Sequence, residues 1–385
     1  MFYLYLIILV IFVILIIFKL YKKIRYKFWT NQPVFHAHNL YYWCYKQGII
    51  NNELPTINKY CNFYNILVTE EGETVASLTP TVKDIVKFLQ KRGHQCTLST
   101  LSSYFVGCNS KSFISTYRKG YSFDSNWKEG VGDTTVFPSA IMTTRPLNIT
   151  FKNLSAFKIY YIDYLCAENE SRNDDIISEM FQTHEYTQRH KNKNIKVTLF
   201  KREKKIPGIL ALTTYKIYHF KIKQIPNNRL LHASMQVIEI NKLNIRLLTT
   251  LIHSQRNKLE CFIIPDLTNL LNLINNETYK VYGILEKDTL IACYFFRNSY
   301  IQNDEIVFFA SISNCYYEIF IKGFTIALKK IKAKHITIEN ISHNNIIINY
   351  LFLLNIIPKF TISSYFYFYN YIKKPILPEN IVILI

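Results

Sequence analysis

Histidines and cysteines, the side chains that most often bind metals or act as nucleophiles, are widely spaced in this sequence. No two of the eight cysteines lie within ten residues of each other, so CxxC metal or redox motifs are absent. His94 with Cys96 and His36 with His38 are close pairs, but they lack the further ligands of a zinc site. GxGxxG, Walker A and HExxH motifs are missing as well. We therefore expect no metal, no cofactor and reduced thiols in a reducing compartment.

The composition is that of a folded, basic protein. The chain has 385 residues, of which 49% are apolar and 15% aromatic, and this excludes a disordered chain. Its 46 Lys and Arg against 27 Asp and Glu give a formal net charge of +19. Beyond a cluster near the amino terminus these basic residues are scattered, without a long run or a zinc-finger motif. The charge alone therefore does not indicate a nucleic-acid partner.

Residues 1–18 contain no charged or strongly polar side chain. As a helix they would cover about 27 Å, close to the thickness of a thin bilayer. The basic residues that follow at once are Lys19, Lys22, Lys23, Arg25 and Lys27. The positive-inside rule then predicts a single-pass transmembrane anchor over 1–18, with the rest of the chain cytosolic. Residues 19–60 are predicted to form a basic flank, attracted to anionic lipid, and an irregular leading arm.

Two stretches of the chain alternate between strand and helix patterns. Lys158–Cys166 and Ile195–Phe200 are rich in β-branched and aromatic residues, and Asp174–Arg189 between them has an apolar helical stripe. This order is typical of a parallel βαβ crossover. The second stretch predicts the strand Glu305–Ile312, the helix Tyr316–Lys334, the strand His335–Glu339, the helix Asn345–Leu354 and the strands Tyr365–Tyr371 and Asn380–Ile385. The sequence thus favours an α/β fold with duplicated halves.

Several segments carry a family resemblance. Tyr26–Val34 (YKFWTNQPV), Arg145–Phe151 (RPLNITF), Asp163–Cys166 (DYLC) and the aromatic strand FYFYN at 366–370 occur in the order and spacing of the N-myristoyltransferases. In that family the first three segments read KFW-x-TQPV, IPANI-x-I and NFLC. The chain resembles this family, the glycylpeptide N-tetradecanoyltransferases, over nearly all of residues 21–385.

The resemblance implies an α/β fold of two fused acetyltransferase-like (GNAT) halves with mixed sheets, here preceded by the predicted transmembrane helix. The acyl-CoA half would span 61–220, and the peptide half, with the terminal carboxylate, 221–385. The implied reaction transfers myristate from myristoyl-CoA, a co-substrate, to the amino-terminal glycine of a protein or peptide. We expect a monomer.

The resemblance also implies the catalytic groups. The glycine amine attacks the thioester directly, so no covalent nucleophile is needed. The backbone N–H groups of Tyr164 and Leu165 would stabilise the oxyanion, and such fixed donors contribute about 3 kcal/mol each. The α-carboxylate of Ile385, surrounded by the apolar run IVILI, would act as the base.

Binding residues follow from the same motifs. The implied acyl-CoA contacts are Tyr26, Lys27, Phe28, Trp29, Cys166, Ala167, Arg172, Asn173, Asp175, Ile176 and Ile177. A helix amino terminus suits phosphates, but the family's basic KKLRSKR loop is replaced here by one in which Asp174 and Asp175 follow Arg172. Thr214 and His219 match a substrate-binding segment of the family. The family's TAG stretch aligns with Lys201-Arg202-Glu203, and two cations there disfavour entry of a cationic amine.

These departures leave other functions open. One is a catalytically degenerate relative that binds acyl-CoA or acylated partners without turnover. Another is an unrelated membrane-tethered basic binding protein. Turnover separates the first from an active enzyme, and saturable binding of myristoyl-CoA separates both from the second.

Overall fold

The computed structural model describes residues 2–25, 28–71, 82–118, 138–168, 173–226, 230–256, 258–299 and 304–385. The helices are α1 Phe2–Arg25, α2 Leu40–Cys44, α3 Val82–Lys91, α4 Leu98–Ser103, α5 Asn173–Lys191, α6 Ile245–Gln255, α7 Leu267–Asn275, α8 Tyr317–Lys330 and α9 Asn344–Leu353. The strands are β1 Gly48–Ile49, β2 Ile66–Glu70, β3 Phe113–Arg118, β4 Pro138–Phe151, β5 Phe157–Ala167, β6 Thr198–Arg202, β7 Thr213–Lys221, β8 Met235–Glu239, β9 Cys261–Ile264, β10 Tyr279–Glu286, β11 Thr289–Asn298, β12 Glu305–Ser313, β13 His335–Glu339, β14 Phe360–Tyr369, β15 Tyr371–Ile372 and β16 Ile381–Ile383.

One large mixed sheet organises the described chain. Its strand order is β16-β9-β4-β5-β6-β14-β7-β13-β12-β11-β10-β8, and β3 and β2 continue from β4. The short strands β1 and β15 pair separately. Helices pack on the sheet through apolar side chains, as the apolar stripe of α8 does through Phe320, Phe324 and Leu328. The predicted α/β class is confirmed, with parallel and antiparallel pairs in one sheet.

Both predicted βαβ units are present. β5 and β6 are parallel and are joined through α5. β12 and β13 are parallel and are joined through α8. The strand β13 has the bounds predicted from its alternating residues, whereas β14 begins at Phe360, five residues before the predicted start. Pairing of β14 with β7 explains the extra length, because a sheet partner extends a strand beyond its own pattern.

Strands from the two predicted halves pair with each other. β7, from the first predicted half, pairs with β13 of the second. β9 and β16, from the second half, extend the sheet beside β4 of the first. This arrangement carries the end of the chain at Ile385 back toward the β4–β5 pair. The division into halves at residue 220 stays a prediction.

The predicted anchor segment is helical and forms most of α1. Within the ranges given above, however, no helix is both long and apolar enough to cross a membrane. The single-pass anchor is therefore not supported, and the cytosolic location stays a prediction. The leading arm is irregular as expected, apart from a 3₁₀ turn at Trp29–Asn31 and the short elements α2 and β1.

Candidate functional site

A β-bulge interrupts the pairing of β4 with β5. Ile141 lies opposite Cys166, but Thr143 lies opposite Asp163, so that one residue of β4 faces two residues of β5. Those two are Tyr164 and Leu165, the predicted oxyanion donors. A bulge of this kind takes amides out of the regular ladder and re-aims them, and the role of these two amides as oxyanion donors stays a prediction.

The Tyr164 amide already has an acceptor. Its N–H donates a 3.0 Å hydrogen bond to Oδ1 of Asp163, the residue before it. Tyr164 has a φ of 48°, in the left-handed region that non-glycine residues seldom adopt. The Asp163 carboxylate therefore competes with any oxyanion for this donor and places a negative charge beside it.

The end of the chain is held by a charged network. Arg297 on β11 donates two hydrogen bonds. One runs 2.5 Å from Nη1 to the main-chain oxygen of Ile385, and the other runs 3.1 Å from Nη2 to Oε1 of Glu339. Lys201 on β6 donates to the other oxygen, Oε2 of Glu339, at 3.1 Å. The Tyr215 hydroxyl donates to the same oxygen at 2.6 Å. Ile385 itself is 5% exposed.

Glu339 is ionised in this network. Burial alone would raise its pKa, but the neighbouring Lys201 and Arg297 cations overcome burial and lower the pKa below its ordinary value of 4.5. Lys201 is the first residue of the segment that aligns with the family's TAG stretch. Its side chain points into the site, and its charge is balanced by Glu339. The cation that would repel an incoming amine is thus paired with a buried carboxylate, which it shares with Arg297.

Part of the predicted acyl-CoA set converges on one aromatic cluster. Trp29 stacks on Phe200 with ring centroids 5.3 Å apart, and Phe28 and Trp29 both contact the Phe181 ring edge to face. Ala167 and Ile176 are buried in the same cluster, and Leu165 packs against it. The amino-terminal arm, the end of β5 and the first turn of α5 therefore meet at one place, and their role in binding acyl-CoA stays a prediction.

The structure describes fewer of the polar residues predicted to contact acyl-CoA. Asp175 is exposed and Ile177 half-buried on α5, which begins at Asn173. Tyr26, Lys27 and Arg172 lie outside the described residues. Phosphate contacts therefore stay predictions.

Cys166 follows the bulge directly. Its Sγ lies 3.5 Å from Nε2 of His94. Burial raises the pKa of the Cys166 thiol, and burial, with Arg92 second, lowers the pKa of His94. The pair is therefore a neutral thiol beside a neutral imidazole at pH 7. No group of three or more potential metal ligands occurs in the described ranges.

The two predicted substrate-binding residues do not lie together. Thr214 is exposed on β7, on the opposite face from Tyr215. His219, five residues further along, is 1% exposed and its Nδ1 contacts Oε1 of Glu305 at 2.9 Å. Burial lowers the pKa of His219 despite this carboxylate, so the imidazole is neutral at pH 7.

Several residues of this region were not among the predicted site residues. Tyr161, Arg145, Tyr279, Arg297 and Glu339 converge between β4, β5, β10, β11 and β13, and electrostatic interactions link their side chains. Arg145 gave one usable signal: it puts a cation where the family segment IPANI begins with an apolar residue. The others come from separate strands of ordinary pattern, and only the sheet order brings them together.

Solved structures share this fold. A crystal structure of Saccharomyces cerevisiae N-myristoyltransferase with bound myristoyl-CoA matches with a TM-score of 0.67 and 12% sequence identity, covering 94% of this chain and 99% of that one. Another from the same organism, with myristoyl-CoA, gives a TM-score of 0.66 and 13% identity over 92% and 91% of the chains. A third, with myristoyl-CoA and inhibitors, gives 0.65 and 13% over 94% and 95%.

No protein-family model and no curated protein matches the sequence. The structural likeness nevertheless extends over almost the whole of both chains. The chain therefore has the mixed α/β, acetyltransferase-like fold of the N-myristoyltransferases, and the predicted resemblance is confirmed at the level of the fold.

Proposed function

We propose that this protein transfers the acyl group of myristoyl-CoA to the amino-terminal glycine of a protein or peptide. The observation that carries the proposal is the β-bulge at Tyr164 and Leu165, in a chain whose fold covers 99% of a myristoyl-CoA-bound N-myristoyltransferase. The aromatic cluster of Phe28 and Trp29 beside the same strand end would hold the acyl-CoA.

The reaction needs a donor set and a base. The thioester carbonyl binds at the bulge, where the Tyr164 and Leu165 amides stabilise the oxyanion as the glycine nitrogen attacks. The terminal carboxylate of Ile385 accepts the amine proton. CoA leaves as its thiol, and an amide bond replaces the thioester. Arg297 positions Ile385 through its hydrogen bond to the main-chain oxygen.

A second function is supported by the environment of the Tyr164 amide. Because the Tyr164 N–H is already hydrogen-bonded to Asp163, it is not available to a carbonyl bound at the bulge. That carbonyl would also lie beside the negative charge of Asp163. Loss of one oxyanion donor costs about two to three orders of magnitude in rate. A protein that binds acyl-CoA or acylated partners without turnover is consistent with this contact.

Single-turnover transfer separates the two. The full chain is mixed in excess with radiolabelled myristoyl-CoA and a peptide that begins with glycine, and acyl-peptide is measured against time. An otherwise identical peptide with an acetylated amino terminus is the control. Acyl-peptide formation with the free amine alone supports the enzyme. Saturable binding of myristoyl-CoA without transfer overturns the enzyme and supports the binding protein, and absence of both overturns both functions.

A further inference from the structure

Arg145 on β4 is a buried cation that contacts no carboxylate or carbonyl oxygen within hydrogen-bond distance among the described residues. Its side chain is 1% exposed, and Nε, Nη1 and Nη2 find no acceptor among the described residues. The buried hydroxyl of Tyr279 lies beside this guanidinium, and its own proton has no acceptor among the described residues. A charged group that is buried without oxygen acceptors is unfavourable in a protein interior.

The surroundings stabilise the charge of Arg145 without accepting its N–H groups. The guanidinium carbon lies 4.7 Å from the centroid of the Tyr104 ring and 5.7 Å from that of Tyr161. Aromatic faces attract a cation, but they do not replace oxygen acceptors. Burial opposes the charge and the nearby Asp163 carboxylate favours it, and the pKa of Arg145 is raised above its already high ordinary value. The guanidinium therefore stays charged.

A second arginine in the same region, Arg297, does have oxygen acceptors. Arg145 lies opposite Tyr161 in the β4–β5 pair, and Arg297 lies opposite Tyr279 in the β10–β11 pair. Each predicted half thus contributes one arginine and one tyrosine, which lie opposite each other on neighbouring strands. Arg297 has oxygen acceptors at Ile385 and Glu339, whereas Arg145 has none in the described chain.

We propose that Arg145 and Tyr279 form a subsite for one carboxylate group, supplied by an acidic side chain of the acyl-accepting peptide. A carboxylate offers two oxygens to the guanidinium fork and a lone pair to the tyrosine hydroxyl. It would supply the acceptors that both groups lack. The proposal rests on the proposed function for the identity of the ligand, but the subsite itself is defined by the two donors.

The position of the acid in the peptide follows from the sheet. Arg145 is three residues along β4 from Met142, which faces the bulge, a separation of about 10 Å. An extended peptide advances about 3.4 Å per residue. With its glycine amine at the bulge, the peptide would bring its third or fourth side chain to Arg145. A free fatty acid, the hydrolysis product of acyl-CoA, carries the same chemical group and is the other possible source.

Binding of matched peptides tests the subsite. Peptides that begin with glycine carry a single Glu at one position from the second to the fifth, and each has a Gln twin. Dissociation constants are measured by calorimetry with the full chain, with and without a non-hydrolysable myristoyl-CoA analogue, and sodium myristate is tested as a separate ligand. The variants are Arg145→Leu, Arg145→Lys and Tyr279→Phe. Arg246→Leu is the matched control, because Arg246 is exposed on α6.

We expect the wild-type protein to bind the Glu peptide about tenfold more tightly than its Gln twin at the third or fourth position. Arg145→Leu should abolish this preference without weakening the Gln peptide, and Arg145→Lys and Tyr279→Phe should reduce it, while Arg246→Leu retains it. If Arg145→Leu does not fold, as thermal unfolding would show, Tyr279→Phe and Arg145→Lys still decide the question. Equal affinities for Glu and Gln peptides, with no Arg145-dependent binding of myristate, would overturn the subsite and leave water as the partner of the guanidinium.

The remaining outcomes separate the subsite from the proposed function. Myristate binding that depends on Arg145, without a Glu preference, keeps the carboxylate subsite and overturns the peptide as its source. A Glu preference without acyl transfer in the single-turnover assay keeps the subsite and overturns the enzyme. Transfer to the Glu and Gln peptides at equal rates, with neither rate changed by Arg145→Leu, keeps the enzyme and overturns the subsite.

Discussion

Arg297 and Ile385 are joined by a hydrogen bond of 2.5 Å between Nη1 and the main-chain oxygen, across 88 residues of sequence. Ile385 lies in the apolar core that also contains Tyr161 and Ile263, so this oxygen has an apolar setting and a cationic partner at once. A carboxylate at this position is fixed by the β11 strand as well as by its own strand. The proposed base is therefore positioned by the sheet and does not depend on β16 alone.

Extending the chain by one glycine after Ile385 should abolish acyl transfer. The added residue converts the proposed carboxylate into an amide carbonyl, which cannot accept the amine proton. Binding of myristoyl-CoA should stay within about twofold of the unextended chain, because the aromatic cluster around Trp29 is formed by other elements. Single-turnover transfer and calorimetric binding check the two parts. Full transfer by the extended chain would exclude Ile385 as the base.

Replacing Asp163 with Ala should raise the rate of acyl transfer at least about tenfold, since the Tyr164 amide is then free to stabilise the oxyanion. Asp163→Asn keeps an acceptor without the charge and should give a smaller increase. The measurement is the single-turnover rate constant at saturating myristoyl-CoA. If Asp163→Ala lowers the rate while the thermal midpoint is unchanged, Asp163 maintains the bulge and does not block it.

Glu339→Gln should destabilise the fold by about 3 kcal/mol at pH 7, because it leaves Arg297 and Lys201 without their shared buried carboxylate. The folded-state pKa of Glu339 lies below 4.5. Its stabilising contribution is therefore fully present above about pH 4.5 and is lost as the pH falls through the folded-state value. Urea unfolding of both proteins between pH 3 and 7 checks this. A difference that grows toward acid pH would contradict the ion-pair network.

Gly323→Ala should destabilise the second half by about 1–3 kcal/mol through overpacking. A Cβ at Gly323 would lie 2.6 Å from the Tyr294 hydroxyl oxygen, and this hydroxyl donates to the Phe320 carbonyl at 2.6 Å. Gly48→Ala is the control, because its Cβ would meet no atom closer than 3.7 Å. Equal unfolding free energies for the two variants would show that α8 shifts to accept the methyl group.

The strands of the two βαβ units could be predicted because each carries its own pattern. The alternation of HITIE gave the bounds of β13, and the apolar stripe at Ile176 and Phe181 placed α5 on the sheet. The family motifs likewise singled out Tyr164, where the structure has a β-bulge that was not predicted, and Trp29 in the leading arm. Such features are local, since burial of one face forces an apolar residue at every second or every third to fourth position.

The side-chain contacts that change the electrostatics of the proposed site could not be predicted in this way. Nothing near Tyr164 in the sequence showed that the side chain of Asp163 would accept a hydrogen bond from its amide, since this depends on the backbone geometry at the bulge. The sequence alone indicated that Lys201 is a cation unfavourable to the incoming amine. Its partner Glu339 was not evident, because it lies 138 residues away along the chain.

The sequence by itself determined the α/β class, the βαβ units and the segments that resemble an acyltransferase, because periodicity and motif are properties of neighbouring residues. The tertiary structure alone decided which charges meet. Pairing between strands of the two predicted halves brings Arg145, Arg297, Glu339 and Ile385 to one region. Because these groups are buried, the free energy gained by pairing a charge, or lost by leaving it unpaired, is large. Electrostatics in a protein interior depends on distance through space, and the order of strands in a sheet sets that distance.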